Sequence, residues 1–232
     1  MIPRMSWLNV LRRRLAAWRE RFLATYGPPA PTNIRTERLL IRELEEQDVP
    51  ALLDYRSRPE VSRYQPGVML TSDQEAWWTI HAARSELWRQ PRYSYDLGVV
   101  LEGEARLIGE CHLALMSHAD EASAPDAAAV GFIIHPEYWG RGYATEAARA
   151  LVRFAFTALE LATVYGGCLP ENAASCRVLE KAGLVLQGTE LGFPGSPEGM
   201  ESLVFCLDRA SWEAIETESC HDQAEPQHGC GR

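Results

Sequence analysis

Lysine is almost absent from this chain, and long apolar runs and regular cysteine spacing are missing. Lys181 is the one lysine among 23 Lys and Arg residues. No apolar run approaches the roughly 18 residues of a membrane span, and no early apolar stretch ends in the small residues of a signal-peptide cleavage site. The six cysteines have no framework spacing. We therefore expect no membrane span, no signal peptide, and reduced thiols in a cytoplasmic protein.

Positive charge is also scarce relative to negative charge. The 232 residues carry 23 Lys and Arg against 32 Asp and Glu, a formal net charge of −9. Phosphate affinity comes from clustered cations, so this balance predicts no nucleic-acid partner and suits a cationic substrate. The composition, with 46% hydrophobic and 24% charged residues, is typical of a globular protein, and the length fits one domain with extensions.

Residues 1–26 form a predicted basic amphipathic helix, followed by a Pro-rich linker at 27–33. The apolar stripe of this helix consists of Trp7, Leu8, Leu11, Leu15, Trp18 and Phe22. Arginines cover the remaining surface, as in a helix with one apolar face. Two interpretations stay open. The helix packs on its own domain or on a second subunit of a homodimer, or it contacts an anionic membrane surface or another protein.

The remaining chain divides into a domain at 34–214 and a disordered acidic tail at 215–232. The tail contains two Cys/His pairs, Cys220 with His221 and His228 with Cys230. Zinc sites usually combine two-residue spacers with an ordered scaffold. We therefore expect a solvated tail and no metal.

The central domain shows a mixed α and β pattern around one sheet, an α+β fold class. The pattern predicts hairpins at 93–101 with 107–115 and at 184–191 with 200–207. Between them it predicts a strand at 130–134, a helix at 141–159, a strand at 163–168 and a helix at 172–182 that Gly183 ends. We expect a single mixed, largely antiparallel sheet flanked by helices.

The stretch 133–147, IIHPEYWGRGYATEA, is the most informative in the chain. An apolar strand ends at His135 and Pro136, two glycines follow, and a helix begins at once. Such a turn points free backbone N–H groups at one spot, where the helix dipole also favours negative charge. The stretch lacks the Gly-Lys-Ser/Thr ending of a Walker A loop and the third glycine of a dinucleotide fingerprint. It predicts a phosphate-binding loop of another kind.

This loop resembles the pyrophosphate loop of the GNAT acetyltransferases, Gln/Arg-x-x-Gly-x-Gly/Ala. Residues 139–144, WGRGYA, align with it except that Trp139 stands for Gln or Arg. An aromatic residue at this position resembles the Rim-type branch of the family, whose members acetylate the N-termini of ribosomal proteins. Residues 172–184 resemble that branch's Asn-x-x-Ser helix, and 36–42 its opening strand. The resemblance covers about residues 36–209 and implies a GNAT-like fold.

The resemblance implies that acetyl-CoA is the co-substrate, with no metal. The loop amides would bind its pyrophosphate, and one strand would pair with its pantetheine arm like an added strand. The implied cofactor residues are Phe132, Ile133, Ile134, Gly140, Arg141, Gly142, Tyr143, Ala144, Thr145, Asn172 and Ser175. Asn172 is also predicted to be a helix N-cap. Gly131 marks either a bulge that splays this strand from its neighbour or a site of close packing.

The catalytic residues are less clear from the resemblance. Many family members carry a tyrosine acid where this chain has Leu179, which leaves Ser175 as the hydroxyl that stabilises the departing thiolate. Glu110 and His112 alternate on one face of a strand, so Glu110 is our first candidate for the general base and His112 the second. The alternative is a surface-facing polar pair.

Two further residues need a structural or a catalytic interpretation. We interpret His135 as structural. We interpret Cys168 as a small hydrophobe of the pocket rather than an acylated nucleophile.

We expect the acceptor pocket to include Arg56, Arg58, Tyr64, Trp77 and Trp78. Alternatively, Trp77 and Trp78 belong to the hydrophobic core. The turn at 192–197 would close over the pocket. The predicted function is transfer of the acetyl group of acetyl-CoA to a primary amine, either a protein N-terminus or a small molecule of aminoglycoside or polyamine type. The alternative is a catalytically weak acyl-CoA-binding module that the N-terminal helix recruits to a partner or membrane.

Overall fold

The computed structural model describes residues 31–65, 67–89, 92–117, 124–194 and 199–222, with the backbone alone for 219–222. The predicted helix at 1–26, most of the linker, and residues 223–232 of the predicted tail lie outside these ranges. No helix in the described ranges is both long and apolar enough to cross a membrane.

The part of the chain that the structure describes contains eight strands and six α-helices. The strands are β1 Asn33–Arg35, β2 Leu39–Glu43, β3 Ser94–Leu101, β4 Arg106–Met116, β5 Ala127–Ile134, β6 Thr163–Cys168, β7 Val185–Leu191 and β8 Glu201–Asp208. The α-helices are α1 Val49–Arg56, α2 Pro59–Ser62, α3 Asp73–Ser85, α4 Tyr143–Thr157, α5 Ala173–Lys181 and α6 Arg209–Asp222. The predicted hairpins, strand at 163–168 and two central helices are confirmed within two residues of their bounds.

All eight strands form one sheet in the order β1-β2-β3-β4-β5-β6-β8-β7. Every neighbouring pair is antiparallel except β5 and β6, which are parallel. The prediction of a single mixed, largely antiparallel sheet is thus confirmed. The parallel pair is short, because its register ends at Val130 opposite Gly166. Beyond that point β5 and β6 separate and leave an open wedge in the sheet.

Helices cover the two faces of the sheet unequally. One face, which we call the α4 face, buries the larger core, with Leu97, Val130, Leu151 and Phe156 among its members. The other, the α1 face, is covered by α1 and α3 and contains the smaller cluster. Alternate residues of each strand point to opposite faces, so residues of one strand contribute to both layers.

The long helix α4 is fixed to the sheet by small residues and by one carboxylate. Its buried alanines, such as Ala147 and Ala148, allow close approach to the strands. Glu146 accepts hydrogen bonds from the Thr36 hydroxyl at 2.6 Å and the Arg38 backbone N–H at 2.9 Å. Partial burial alone would raise the pKa of Glu146, but these hydrogen bonds and the Arg38 charge lower it below its usual value. The N-terminus of α4 is therefore held against the loop before β2.

Two elements of the fold cross the predicted boundaries. β1 begins at Asn33, inside the predicted linker, because its residues pair with β2. The expected disordered tail at 215–232 is helical as far as Asp222. Asp208 caps this helix by accepting from the Ser211 N–H at 2.9 Å, and Trp212 stacks on Phe156 at 5.2 Å between ring centroids. The cap and the aromatic contact order a segment whose composition alone predicts disorder.

Candidate active site

The glycine-rich loop leads into α4 through two left-handed residues. Gly140 and Gly142 have φ of +74° and +83°, a region that disfavours any residue with a Cβ. Gly142 is the N-cap of α4, and no side chain caps the helix there. The first-turn N–H groups of an α-helix have no partner within the helix. The loop therefore presents free amides and a helix dipole to one point, as an anion site requires.

Trp139 fixes the loop to the end of β5. Its indole Nε1 donates to the Ile134 carbonyl at 2.5 Å, while half of the side chain stays exposed. The sequence could not show why a tryptophan replaces the family's polar residue at this position. In the fold it ties the loop to the strand by a single hydrogen bond.

A cleft of about 380 Å³ lies next to the loop, between the open edge of β5, the start of α5 and the α2 region. The predicted cofactor residues that line it are Phe132, Ile133, Ile134, Gly140, Gly142, Tyr143, Ala144, Thr145, Asn172 and Ser175. Arg141 does not line it. The Arg141 guanidinium lies 5.3 Å from the Tyr138 ring centroid, and its carbonyl accepts from Arg38 Nη1 at 3.0 Å. Residues from four separate parts of the sequence thus share one cleft.

The beginning of α5 contributes the far wall of the cleft. Asn172 is the N-cap of α5, and its Oδ1 accepts from the Ser175 N–H at 3.2 Å. The N-cap interpretation is confirmed, and both side chains line the cleft as well. Leu179 is buried, and a Cβ added to Gly166 would lie 2.5 Å from its Cδ2. The residue at the family's tyrosine position is therefore part of the core.

Gly131 lies where β5 leaves β6. Its register partner on β4 is His112, and the β4–β5 pairing continues through this pair without a shift. A Cβ at Gly131 would lie 2.0 Å from His112 Cε1. No bulge interrupts the β4–β5 pairing at Gly131, although β5 does separate from β6 there. The close-packing interpretation is confirmed, because the glycine makes room for the imidazole ring.

Glu110 is held in a buried ion pair on the α1 face. Its two carboxylate oxygens accept from Arg56 Nε and Nη2, both at 2.6 Å. The two side chains are 9% and 16% exposed, and Glu110 is not among the residues that line the cleft. The nearby Tyr55 hydroxyl is buried without a hydrogen-bond partner among the described residues. Burial and the Glu110 charge raise the pKa of Tyr55 well above its usual value.

His112 lies two residues further along the same face of β4 and is half-buried. Burial lowers the pKa of His112 below its usual value, and the negative charges of Asp96 and Glu110 oppose that shift without cancelling it. The imidazole is therefore neutral at physiological pH. A neutral imidazole has a lone pair with which it can accept a proton.

Sequence and structure comparisons identify the family. The profile of the family described as an acetyltransferase (GNAT) domain matches residues 38–185. The chain belongs to the GNAT acetyltransferase family. It is an acetyl-CoA-dependent N-acetyltransferase, which confirms that part of the prediction.

Named relatives and solved structures agree with this family. The uncharacterized N-acetyltransferase YnaD of Bacillus subtilis is 32% identical over 157 residues, which cover 67% of this chain and 84% of that protein. A GNAT acetyltransferase structure from Bacillus anthracis has a TM-score of 0.61 at 27% identity, covering 76% of this chain and 98% of the other. The ribosomal-protein-S5-alanine acetyltransferase of Vibrio fischeri shares the fold, with a TM-score of 0.63 at 17% identity. The match covers 78% of this chain and 98% of the other.

The residues expected around the acceptor of this acetyltransferase are dispersed. Tyr64 lines the cleft, whereas Arg56 pairs with Glu110 and Arg58 pairs with Asp54 at 2.9 Å. Trp77 and Trp78 lie on α3 outside the cleft lining, and Trp78 is 55% exposed. Of these five residues, Tyr64 is the one that lines the cleft, and the place of the other four around the acceptor stays a prediction.

The predicted closing turn at 192–197 is only partly described. Within it, Phe193 is buried. A Cβ on Gly167 would lie 2.2 Å from the Phe193 ring, so this residue closes the β6 side of the wedge.

Cys168 and His135 occupy structural positions. The Cys168 thiol is buried, 3.0 Å from the Cys176 thiol. Burial raises the pKa of Cys168 well above its usual value, and the neighbouring Cys176 raises it further, so the nucleophilic thiolate is disfavoured. His135 is buried and contacts Asp54 Oδ2 at 3.1 Å. No group of three His, Cys, Asp or Glu side chains within the described part of the chain is placed to hold a metal ion.

Proposed function

We propose that this acetyltransferase moves the acetyl group of acetyl-CoA to the primary amine of a protein N-terminus. The observation that carries this proposal is the wedge between β5 and β6, which opens beside the uncapped N-terminus of α4. The loop amides bind the pyrophosphate and the exposed edge of β5 binds the pantetheine arm. Binding of the pyrophosphate by backbone amides suits a chain in which Lys and Arg are outnumbered by Asp and Glu.

The wedge also positions the reacting end of the co-substrate. The arm runs from the loop back along β5, past Ile134, Ile133 and Phe132. At a rise of about 3.3 Å per residue, Gly131 lies roughly 10 Å from Ile134. There β5 and β6 meet, with Val130 opposite Gly166, and block further entry. The thioester end then lies towards Gly131, against which the ring of His112 packs, although neither residue is among those that line the cleft.

In the transfer step the neutral amine nitrogen attacks the thioester carbonyl carbon. A new C–N bond forms, the C–S bond breaks, and the amine gives up one proton while the CoA thiolate leaves. Of the two base candidates, His112 is favoured, because both oxygens of Glu110 are already bound by Arg56. Ser175, at the wall of the cleft, donates a hydrogen bond to the departing sulfur.

The acceptor class rests on the loop and on the resemblance. The aromatic residue at the start of the loop, the Asn-x-x-Ser helix and the fold shared with a ribosomal-protein acetyltransferase all support a Rim-type protein N-terminus. The acidic net charge of −9 suits a cationic acceptor. Aminoglycosides and polyamines are the alternative amines.

Thiol release with a panel of amines tests this function. The panel contains short peptides with free Ser or Ala N-termini, the same peptides with blocked N-termini, spermidine and kanamycin, each with acetyl-CoA. We expect release with free peptides and none with blocked ones. Release with spermidine or kanamycin alone would contradict the peptide acceptor. Acetyl-CoA binding by calorimetry without any thiol release would indicate the acyl-CoA-binding module instead.

Two further proposals concern the setting of the enzyme. A cytoplasmic location is supported by the unpatterned cysteines of the sequence. A homodimer through the apolar stripe of residues 1–26 stays a prediction, as does its alternative, contact with a membrane surface. Sedimentation of the full chain and of a chain beginning at residue 31, with and without anionic vesicles, separates them.

A further inference from the structure

Asp96 lies directly beside His112 in the sheet. The two residues are register partners on β3 and β4, and directly opposite side chains in an antiparallel pair have Cβ atoms about 5 Å apart. The Ser94 hydroxyl, on the same face of β3, donates to Asp96 Oδ2 at 2.6 Å. The Asp96 carboxylate is thus fixed on the strand beside His112 by a hydroxyl that carries no charge.

Three strands hold the His112 ring between fixed groups. Asp96 lies beside it on β3. On β5, Gly131 has no Cβ, so the ring packs directly against the backbone there. A larger residue at Gly131 would displace the ring, so its orientation is set by the strands rather than by a flexible loop. Such support on rigid elements is what a proton-accepting group needs.

Asp96 gives the surroundings of His112 a net negative charge. The charged groups that act on His112 in the described structure are Asp96 from β3, Glu110 from β4 itself and Arg56 from α1. Glu110 and Arg56 neutralise each other through their bidentate pair. Gly131 of β5 adds no charge. The remaining unit charge is that of Asp96.

We propose that Asp96 is a positioning residue, which orients His112 and stabilises the imidazolium that forms when His112 takes the proton of the acceptor amine. The proton passes from the amine nitrogen to one ring nitrogen of His112, and Asp96 itself stays ionised. This inference rests on the proposed function and adds a residue that the sequence did not reveal.

The test compares D96N with E104Q in the full chain. Glu104 is exposed at the tip of the β3–β4 hairpin, so its substitution removes the same unit charge from the same hairpin. NMR titration of the histidine ring signals gives the pKa of His112, and H112Q identifies its signal among the six histidines. The pH dependence of kcat/KM is measured with the best amine of the panel.

We expect D96N to lower the pKa of His112 and to move the acid limb of kcat/KM down by the same amount. The rate on the plateau should fall about tenfold or more, as general-base effects do. D96E should restore part of the rate, S94A should give a smaller shift of the same sign, and E104Q should change neither measurement.

An unchanged pKa of His112 in both D96N and S94A would overturn the inference. So would an acid limb that D96N leaves in place. Neither variant needs an acceptor for the NMR measurement, which therefore decides the role of Asp96 even without turnover. The absence of thiol release with every amine would contradict the proposed function instead.

Discussion

Replacing Glu110 by Gln tests whether this buried carboxylate is structural. The side chain is isosteric, so the main change is the loss of charge opposite Arg56. The pair has two N–O distances of 2.6 Å, with side chains 9% and 16% exposed. Breaking a buried pair by removing one partner costs about 3–5 kcal/mol because the other charge stays uncompensated. Since Arg56 keeps some contact with water, we expect the lower end, about 3 kcal/mol.

The assay is urea unfolding followed by tryptophan fluorescence, with thermal unfolding in parallel. For a protein of this size a loss of about 3 kcal/mol lowers Tm by roughly 6–12 °C. The control is Glu102→Gln, which removes the partner of exposed Arg35 and should cost less than about 1 kcal/mol. In the double variant Arg56→Met with Glu110→Gln no buried charge is left alone, so we expect most of the stability to return.

Activity decides between the two roles of Glu110. If its carboxylate only stabilises the fold, kcat/KM of E110Q at a temperature well below its Tm should stay within roughly tenfold of the wild type. The acid limb should move to lower pH, because Arg56 loses the charge that balances it beside His112. A stable E110Q protein that loses about 100-fold or more in kcat/KM, within the range of general-base effects, would refute this reasoning. That result would restore Glu110 as the base.

Three further substitutions test the glycine-rich loop, the Cys168 thiol and the contacts of Glu146 that hold α4. Gly142→Val should abolish acetyl-CoA binding in calorimetry and cost about 1–2 kcal/mol of stability, because the residue has φ of +83°; unchanged affinity would contradict the loop as the pyrophosphate site. Cys168→Ala should keep the rate of thiol release, since the thiol is buried with a raised pKa, and a lost rate would indicate an acylated cysteine. Glu146→Gln should destabilise the protein most at neutral pH. The folded-state pKa of Glu146 is lowered from its usual 4.5, so its contribution is present above that value and fades as pH falls through the folded pKa; a destabilisation independent of pH in urea unfolding would contradict the ionic role.

The loop and its chemistry were predictable from the sequence because they are local. The two glycines, the apolar strand before them and the helix formers after them lie within 15 consecutive residues, 133–147. Local backbone preferences and the resemblance were therefore sufficient to predict the loop and the cofactor site proposed around it. The N-cap at Asn172 was predictable for the same reason, because a capping residue and its target are three residues apart.

Partners far apart in the sequence were not predictable. The salt bridge between Arg56 and Glu110 joins residues 54 positions apart. The sequence around either residue gives no indication of its partner. The sequence therefore made Glu110 the first candidate for the base. The helical segment up to Asp222 was missed because helix α6 contacts residues far away in the sequence, as Trp212 does with Phe156 of α4.

The sequence by itself determined the family, the acetyl-CoA chemistry and the conformation of the glycine-rich loop, since each depends on short motifs whose backbone conformation their own residues favour. The tertiary structure decided which side chains meet at the wedge between β5 and β6. Strand register places Asp96, His112 and Gly131 side by side, and register is set by the packing of the whole sheet rather than by any one strand. The choice between Glu110 and His112 therefore depends on the fold.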